Sequence, residues 1–136
     1  VHPELTLAHE IGHFLDNDAF PKEAGLAHAS EGSPSQKMKN LMDALDASES
    51  VKWFRDNGTF QDKEYYLKPT EMVARSYAQY IAKKSGNRKM LEQLDAILLQ
   101  ETKYKYTQWT ETDFRNIMKA YDELFEEIGW LEKNGK

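Results

Sequence analysis

The 136-residue sequence predicts a mainly helical domain, and three observations carry the prediction. Apolar residues recur every three to four positions along most of the chain, the spacing that gives a helix one buried face. Helix starts and stops punctuate the same segments: Pro3 and Pro69 stand where a first helical residue belongs, and Ser85, Gly86 and Asn87 stand where a helix ends. Only residues 57–68 combine a turn signal with enough aromatic residues to pair as strand. The pattern predicts a single domain over 1–136 with about five to six helices and at most a short hairpin.

Taken in order, the first helix opens at Pro3 and Glu4, with Leu5, Ala8, Ile11, Gly12 and Leu15 as its apolar or small face. Residues 17–35 hold Pro21, Gly25, Gly32 and Pro34 with little periodicity. That predicts a long loop, of the kind that often carries function in a small domain. From Ser35 to Asp56, Met38, Leu41, Met42 and Leu45, then Val51, Trp53 and Phe54, mark one long helix or two short ones. Ser48 would cap the break. Asn57-Gly58 signals a turn, and the aromatic residues after it supply the candidate strand.

A helix then runs from Pro69 to the stop at 85–87, followed by an amphipathic helix with Met90, Leu91, Leu94, Ile97 and Leu98 on one face. Residues 102–109 predict a loop, and Thr110 with Asp113 has the form of a capping box. The last helix extends to about Ile128. Phe114, Ile117, Met118, Tyr121, Leu124, Phe125 and Ile128 form its buried stripe. Trp53, Trp109 and Trp130 are expected in the core. There is no internal repeat and no clear linker.

Composition narrows the chemistry. Hydrophobic residues make up 40% and charged residues 30%, the balance of a globular protein. No apolar run approaches the roughly 18 residues of a membrane span. A net charge of -5 argues against bulk electrostatic binding of nucleic acid. With no cysteine, thiolate chemistry is excluded, and any metal must be held by histidine, carboxylate and water. The chain begins at Val1 with no basic-then-apolar leader, which suggests a piece of something longer and no signal peptide.

Two of the four histidines, His9 and His13, stand four residues apart with Glu10 between them. On a helix that spacing places both imidazoles on one face, where they can reach a single zinc ion. Glu10 is rotated by about 100° from His9. It stays off the metal yet near it, placed to act as general base toward water. Zinc lowers the pKa of a bound water from 15.7 towards about 7 and polarises a carbonyl under attack. With four His and 14 Glu in the chain, chance yields this motif about once in a hundred shufflings.

A catalytic zinc takes three protein ligands and leaves one position for water. The longer motif with a third histidine is excluded, since Asp16 and Ala19 occupy its glycine and histidine positions. His28, Glu31, Glu64 and Glu71 remain. Glu71 is favoured because the first turn of a helix stabilises an ionised carboxylate. Moreover Ala74 and Ala78 on its face, with Gly12 beside His13, let two helices approach closely. Asp16 is placed to hydrogen-bond a ligand histidine, and Arg75 to orient Glu71 or Asp16.

"HEIGHFLD" at 9–16, followed by "YYLKPTEMVARSYAQYI" at 65–81, resembles the gluzincin-type zinc metallopeptidases. It is more narrowly similar to the metallopeptidase domains of large phage and mobile-element polyproteins, and more distantly to lethal-factor-type toxin peptidases. The resemblance implies a zincin-like helical subdomain with His9, His13 and Glu71 as zinc ligands and Glu10 as general base. It also implies an oxyanion-stabilising phenol from Tyr65 or Tyr66, with Tyr66 preferred. Zincins place a sheet before this helix to hold the substrate chain, and only eight residues precede His9. The expectation is therefore a domain lacking its upstream substrate-binding sheet, acting on a peptide or protein in the bacterial or phage cytoplasm as part of a larger polyprotein. The alternative is a non-catalytic metal-binding or interaction module of such a protein.

Overall fold

A computed structural model describes residues 2–132. Among the described residues the chain forms seven α-helices and no strand. They are α1 (Pro3–Asp18), α2 (Gln36–Ala47), α3 (Glu49–Asn57), α4 (Phe60–Tyr66), α5 (Pro69–Ser85), α6 (Arg88–Leu98) and α7 (Glu111–Glu127). Short 3-10 helices at Ala29–Glu31 and Lys103–Thr107 interrupt the two segments expected to be loops. The mainly helical expectation holds, with one helix more than its upper count. No helix among the described residues is long and apolar enough to cross a membrane.

The extra helix is α4, in the stretch expected to pair as strand. The Thr59 hydroxyl accepts the Asp62 N–H at 3.0 Å, and the Asp62 carboxylate accepts the Thr59 N–H at 3.2 Å. This reciprocal cap starts a helix two residues after Gly58. Gly58 itself has φ -69, so the Asn-Gly pair never takes up the left-handed backbone that a tight hairpin needs.

Two caps are rearranged relative to the sequence reading. Ser48 breaks α2 from α3 through its extended backbone, but its hydroxyl donates to Leu45 O and accepts the Trp109 indole N–H at 2.9 Å. The N-terminus of α3 is capped instead by Asp113, whose carboxylate accepts the N–H groups of Glu49 and Ser50 at 2.8 and 3.1 Å. Thr110 caps α7 alone, because Asp113 is engaged elsewhere. One carboxylate thereby ties α3 to α7.

The main core gathers Leu15 of α1, Met38, Leu41 and Leu45 of α2, Val73 and Tyr80 of α5, and the predicted stripe of α7 around Trp109. Each such side chain contributes about 1.5–3 kcal/mol by leaving water. Trp53 is half-buried, stacked on Tyr106 with ring centroids 4.2 Å apart. Trp130, expected in the core, is 58% exposed, lying past α7 where Gly129 turns the chain at φ 81.

α1 packs most extensively against α5. Leu5, Ala8, Gly12 and Leu15 are buried as expected, whereas Ile11 is exposed with Leu7 and Phe14. Gly12 is the point of closest approach. A Cβ there would lie 2.9 Å from Ala74 Cα and 3.2 Å from Ala74 O. Contact at that range leaves no room for any side chain, and it brings the first turn of α5 under the middle of α1.

Candidate metal centre

His9 and His13 share one face of α1, their ring centroids 4.9 Å apart. Glu71 follows Pro69 in the first turn of α5, where the unpaired N–H groups of a helix start favour a negative charge. The crossing at Gly12 and Ala74 brings these together. Glu71 Oε1 lies 3.3 Å from His9 Nε2, and Oε2 lies 2.8 Å from His13 Nε2.

Burial pushes the Glu71 carboxyl up. The adjoining His9, the Tyr65 hydroxyl and the His13 charge outweigh it and bring the group down to about 2. Glu71 is therefore a carboxylate throughout the neutral range, the form in which it can bind a cation.

Glu10 is exposed, and one ligand atom from each of His9, Glu10 and His13 lies within 4.8 Å of the others. Neither a hydrogen bond nor an ion pair to another described residue engages its carboxylate. It faces water beside the imidazoles, as a general base must.

The donor set suits a divalent zinc ion. Ligand atoms about 2.0–2.2 Å from a tetrahedral zinc stand roughly 3.3–3.6 Å apart; His9 meets Glu71 Oε1 at that range, while His13 meets the other oxygen, Oε2, at 2.8 Å. Glu71 Oε1 is buried, and its 3.3 Å contact with His9 Nε2 lacks the geometry of a full hydrogen bond. A cation between that oxygen and the imidazoles would complete its pairing.

The other nominated residues fall differently. His28 pairs with Glu31 at 3.2 Å in the 19–35 segment, and Glu64 is exposed on α4. Asp16, expected to hydrogen-bond a ligand histidine, is fully buried and turned to Ser30 instead. It accepts the Ser30 N–H at 2.7 Å and the Ser30 hydroxyl at 2.6 Å. It fastens the 19–35 segment to the end of α1. Burial pushes its carboxyl up, against the pull of these two hydrogen bonds.

Arg75, expected to orient Glu71 or Asp16, forms an ion pair with neither. Its Nε donates to Thr107 O and its Nη2 to Tyr66 O, both at 2.9 Å. Tyr65 and the expected Tyr66 both line the cleft beside His9 and Glu10, and Tyr65 is the one next to Glu71. Burial and the neighbouring Glu71 push the Tyr65 phenol up, while Tyr66 stacks on Phe54 at 4.7 Å and lies under the Arg75 guanidinium.

Sequence reasoning missed the surroundings of the site. A cleft of about 480 Å3 beside His9 and Glu10 is walled by Leu5, Tyr65, Ile97, Tyr104 and Gln108, with Arg75 at its side. Tyr104 and Gln108 come from the 102–109 segment, whose local pattern carries no hint that it folds over α5. Comparison of the chain with protein-family models, curated proteins and solved structures gives no match.

Proposed function

We propose that this domain is a zinc-dependent peptidase. The observation that carries the reading is the meeting of the Glu71 carboxylate with the imidazoles of His9 and His13, next to an exposed and unengaged Glu10. His9, His13 and Glu71 would hold the ion. A zinc ion there would lower the pKa of bound water and polarise the carbonyl under attack. Glu10 accepts a proton from the attacking water as the new C–O bond forms, and delivers it to the departing amine nitrogen as the C–N bond breaks. Tyr65, which lines the cleft with Glu71, would donate a hydrogen bond to the oxygen on which negative charge develops. The substrate class is a peptide or protein. The likeness of the two motifs to phage and mobile-element peptidase domains supports a place within a larger polyprotein in a bacterial cytoplasm.

A structural metal site has no use for a base at Glu10, which favours hydrolysis over a purely architectural ion. The test loads the protein with zinc and assays a broad peptide library with the native chain and Glu10→Gln. Hydrolysis by the native chain, lost in Glu10→Gln with zinc retained, is the expected result. Zinc binding with no hydrolysis by the native chain would assign the domain to the non-catalytic metal-binding class.

A further inference from the structure

The cleft beside the metal centre has a cationic wall that the hydrolytic chemistry leaves unused. Arg75 is only 6% exposed, and it lines the cleft with Tyr65, Tyr104 and Gln108. Its guanidinium is fixed three ways. Nε is held by Thr107 O, Nη2 by Tyr66 O, and the planar group lies 5.2 and 5.9 Å from the ring centroids of Tyr66 and Trp109.

What remains is Nη1, buried and without a hydrogen-bond partner. A guanidinium has five N–H donors in a rigid fork, and a buried charged donor left unused is costly. Glu71 is the carboxylate whose charge reaches Arg75.

We propose that Arg75 anchors a carboxylate of the substrate peptide, either an acidic side chain or the free C-terminus, in the cleft next to the scissile bond. The proposal rests on the peptidase reading of the same site. The guanidinium fork matches a carboxylate in shape and charge, and its position over the Tyr66 and Trp109 rings, with its two backbone hydrogen bonds, holds it ready without further loss of side-chain freedom. Leu5, Ile97 and Tyr104 offer apolar walls to the methylenes that carry the acid. Nη1 is covered in this conformation. Binding of the carboxylate therefore requires a neighbouring side chain to move off Nη1.

The test measures peptide binding to the full chain carrying Glu10→Gln, both zinc-loaded and stripped with a chelator. One probe set is end-blocked pentapeptides with a single Glu or Gln walked through each position. The other is an unblocked pentapeptide ending in an acid or an amide. The proposal expects about tenfold tighter binding of the acid form in one of the two sets, which identifies the source of the carboxylate. The preference persists after zinc is removed and disappears in Arg75→Lys with zinc content unchanged. Equal binding of acid and neutral forms, or no measurable binding of any, overturns it. So does a preference that vanishes with zinc, which assigns the carboxylate to the metal. If Arg75→Lys does not fold, the comparison with and without zinc decides alone. Failure of the peptidase reading is separately visible. Acid preference without hydrolysis by the native chain leaves the carboxylate site standing, while equal hydrolysis of acid and neutral peptides leaves the peptidase standing without it.

Discussion

Gly12 of α1 and Ala74 of α5 approach so closely that a Cβ on the glycine would sit 2.9 Å from the Ala74 Cα. That approach sets the separation of the two histidines from Glu71. Gly12→Ala raises helix propensity by about 1 kcal/mol, but forcing a methyl group against backbone costs about 1–3 kcal/mol. The variant is expected to lose up to about 2 kcal/mol in urea unfolding and at least about tenfold in zinc affinity. Unchanged affinity would show that the crossing does not set the site.

Glu10→Gln should leave the fold alone. Glu10 is exposed and engaged by no other described side chain, so its unfolding free energy should stay within about 0.5 kcal/mol of the native chain. Turnover should fall by about 10²–10⁴, the usual worth of a positioned base. Parallel urea titrations and peptide assays check both halves.

Asp16 is a structural carboxylate. Asp16→Ala strips both acceptors from Ser30, and the orphaned buried donors should cost about 1–3 kcal/mol. Its pH dependence has a definite sign. Burial raises the folded-state pKa above the ordinary value of 3.8, so the stabilising contribution is fully present below 3.8 and is lost as pH rises through the folded value. The stability difference between the native chain and Asp16→Asn should therefore shrink as pH is raised from acid, then level off. A difference that grows with pH would show that the carboxylate is favoured by its surroundings.

Glu71 titrates the other way. Its folded pKa of about 2 lies below the ordinary 4.5, so in the metal-free protein its contribution is present above 4.5 and is lost as pH falls through about 2. The stability gap between the native chain and Glu71→Gln should narrow over that interval. A gap that is flat from pH 6 to 2 would mean that the histidine contacts do not hold the carboxylate.

Much of this was legible in the sequence because it is local. The spacing of His9, Glu10 and His13, the helix starts near Ser35 and at Pro69, and the stop at Gly86 each depend on neighbours within one turn. The choice of Glu71 needed one longer inference, that small residues on two helices mean close contact, and Gly12 meets Ala74 as that inference requires.

What failed was either a contest between two local signals or a partner distant in sequence. At 57–60 the Asn-Gly turn competed with the Thr59 and Asp62 cap, and the cap prevailed. Asp16 chose Ser30, and Arg75 chose Thr107, through loops whose course no periodicity announces. The preference for Tyr66 over Tyr65 had no local basis, since the end of a short helix decides which ring lies next to Glu71 and which stacks on Phe54.

The central claim is that His9, His13 and Glu71 hold one zinc ion, and competition titration of zinc against the native chain and Glu71→Ala tests it most directly. Residues that merely support a ligand typically cost 10- to 100-fold in affinity when removed. Loss of a ligand should exceed that, and the account predicts one zinc per native chain with affinity lowered more than about a hundredfold in Glu71→Ala. Equal affinity in the two proteins would contradict it.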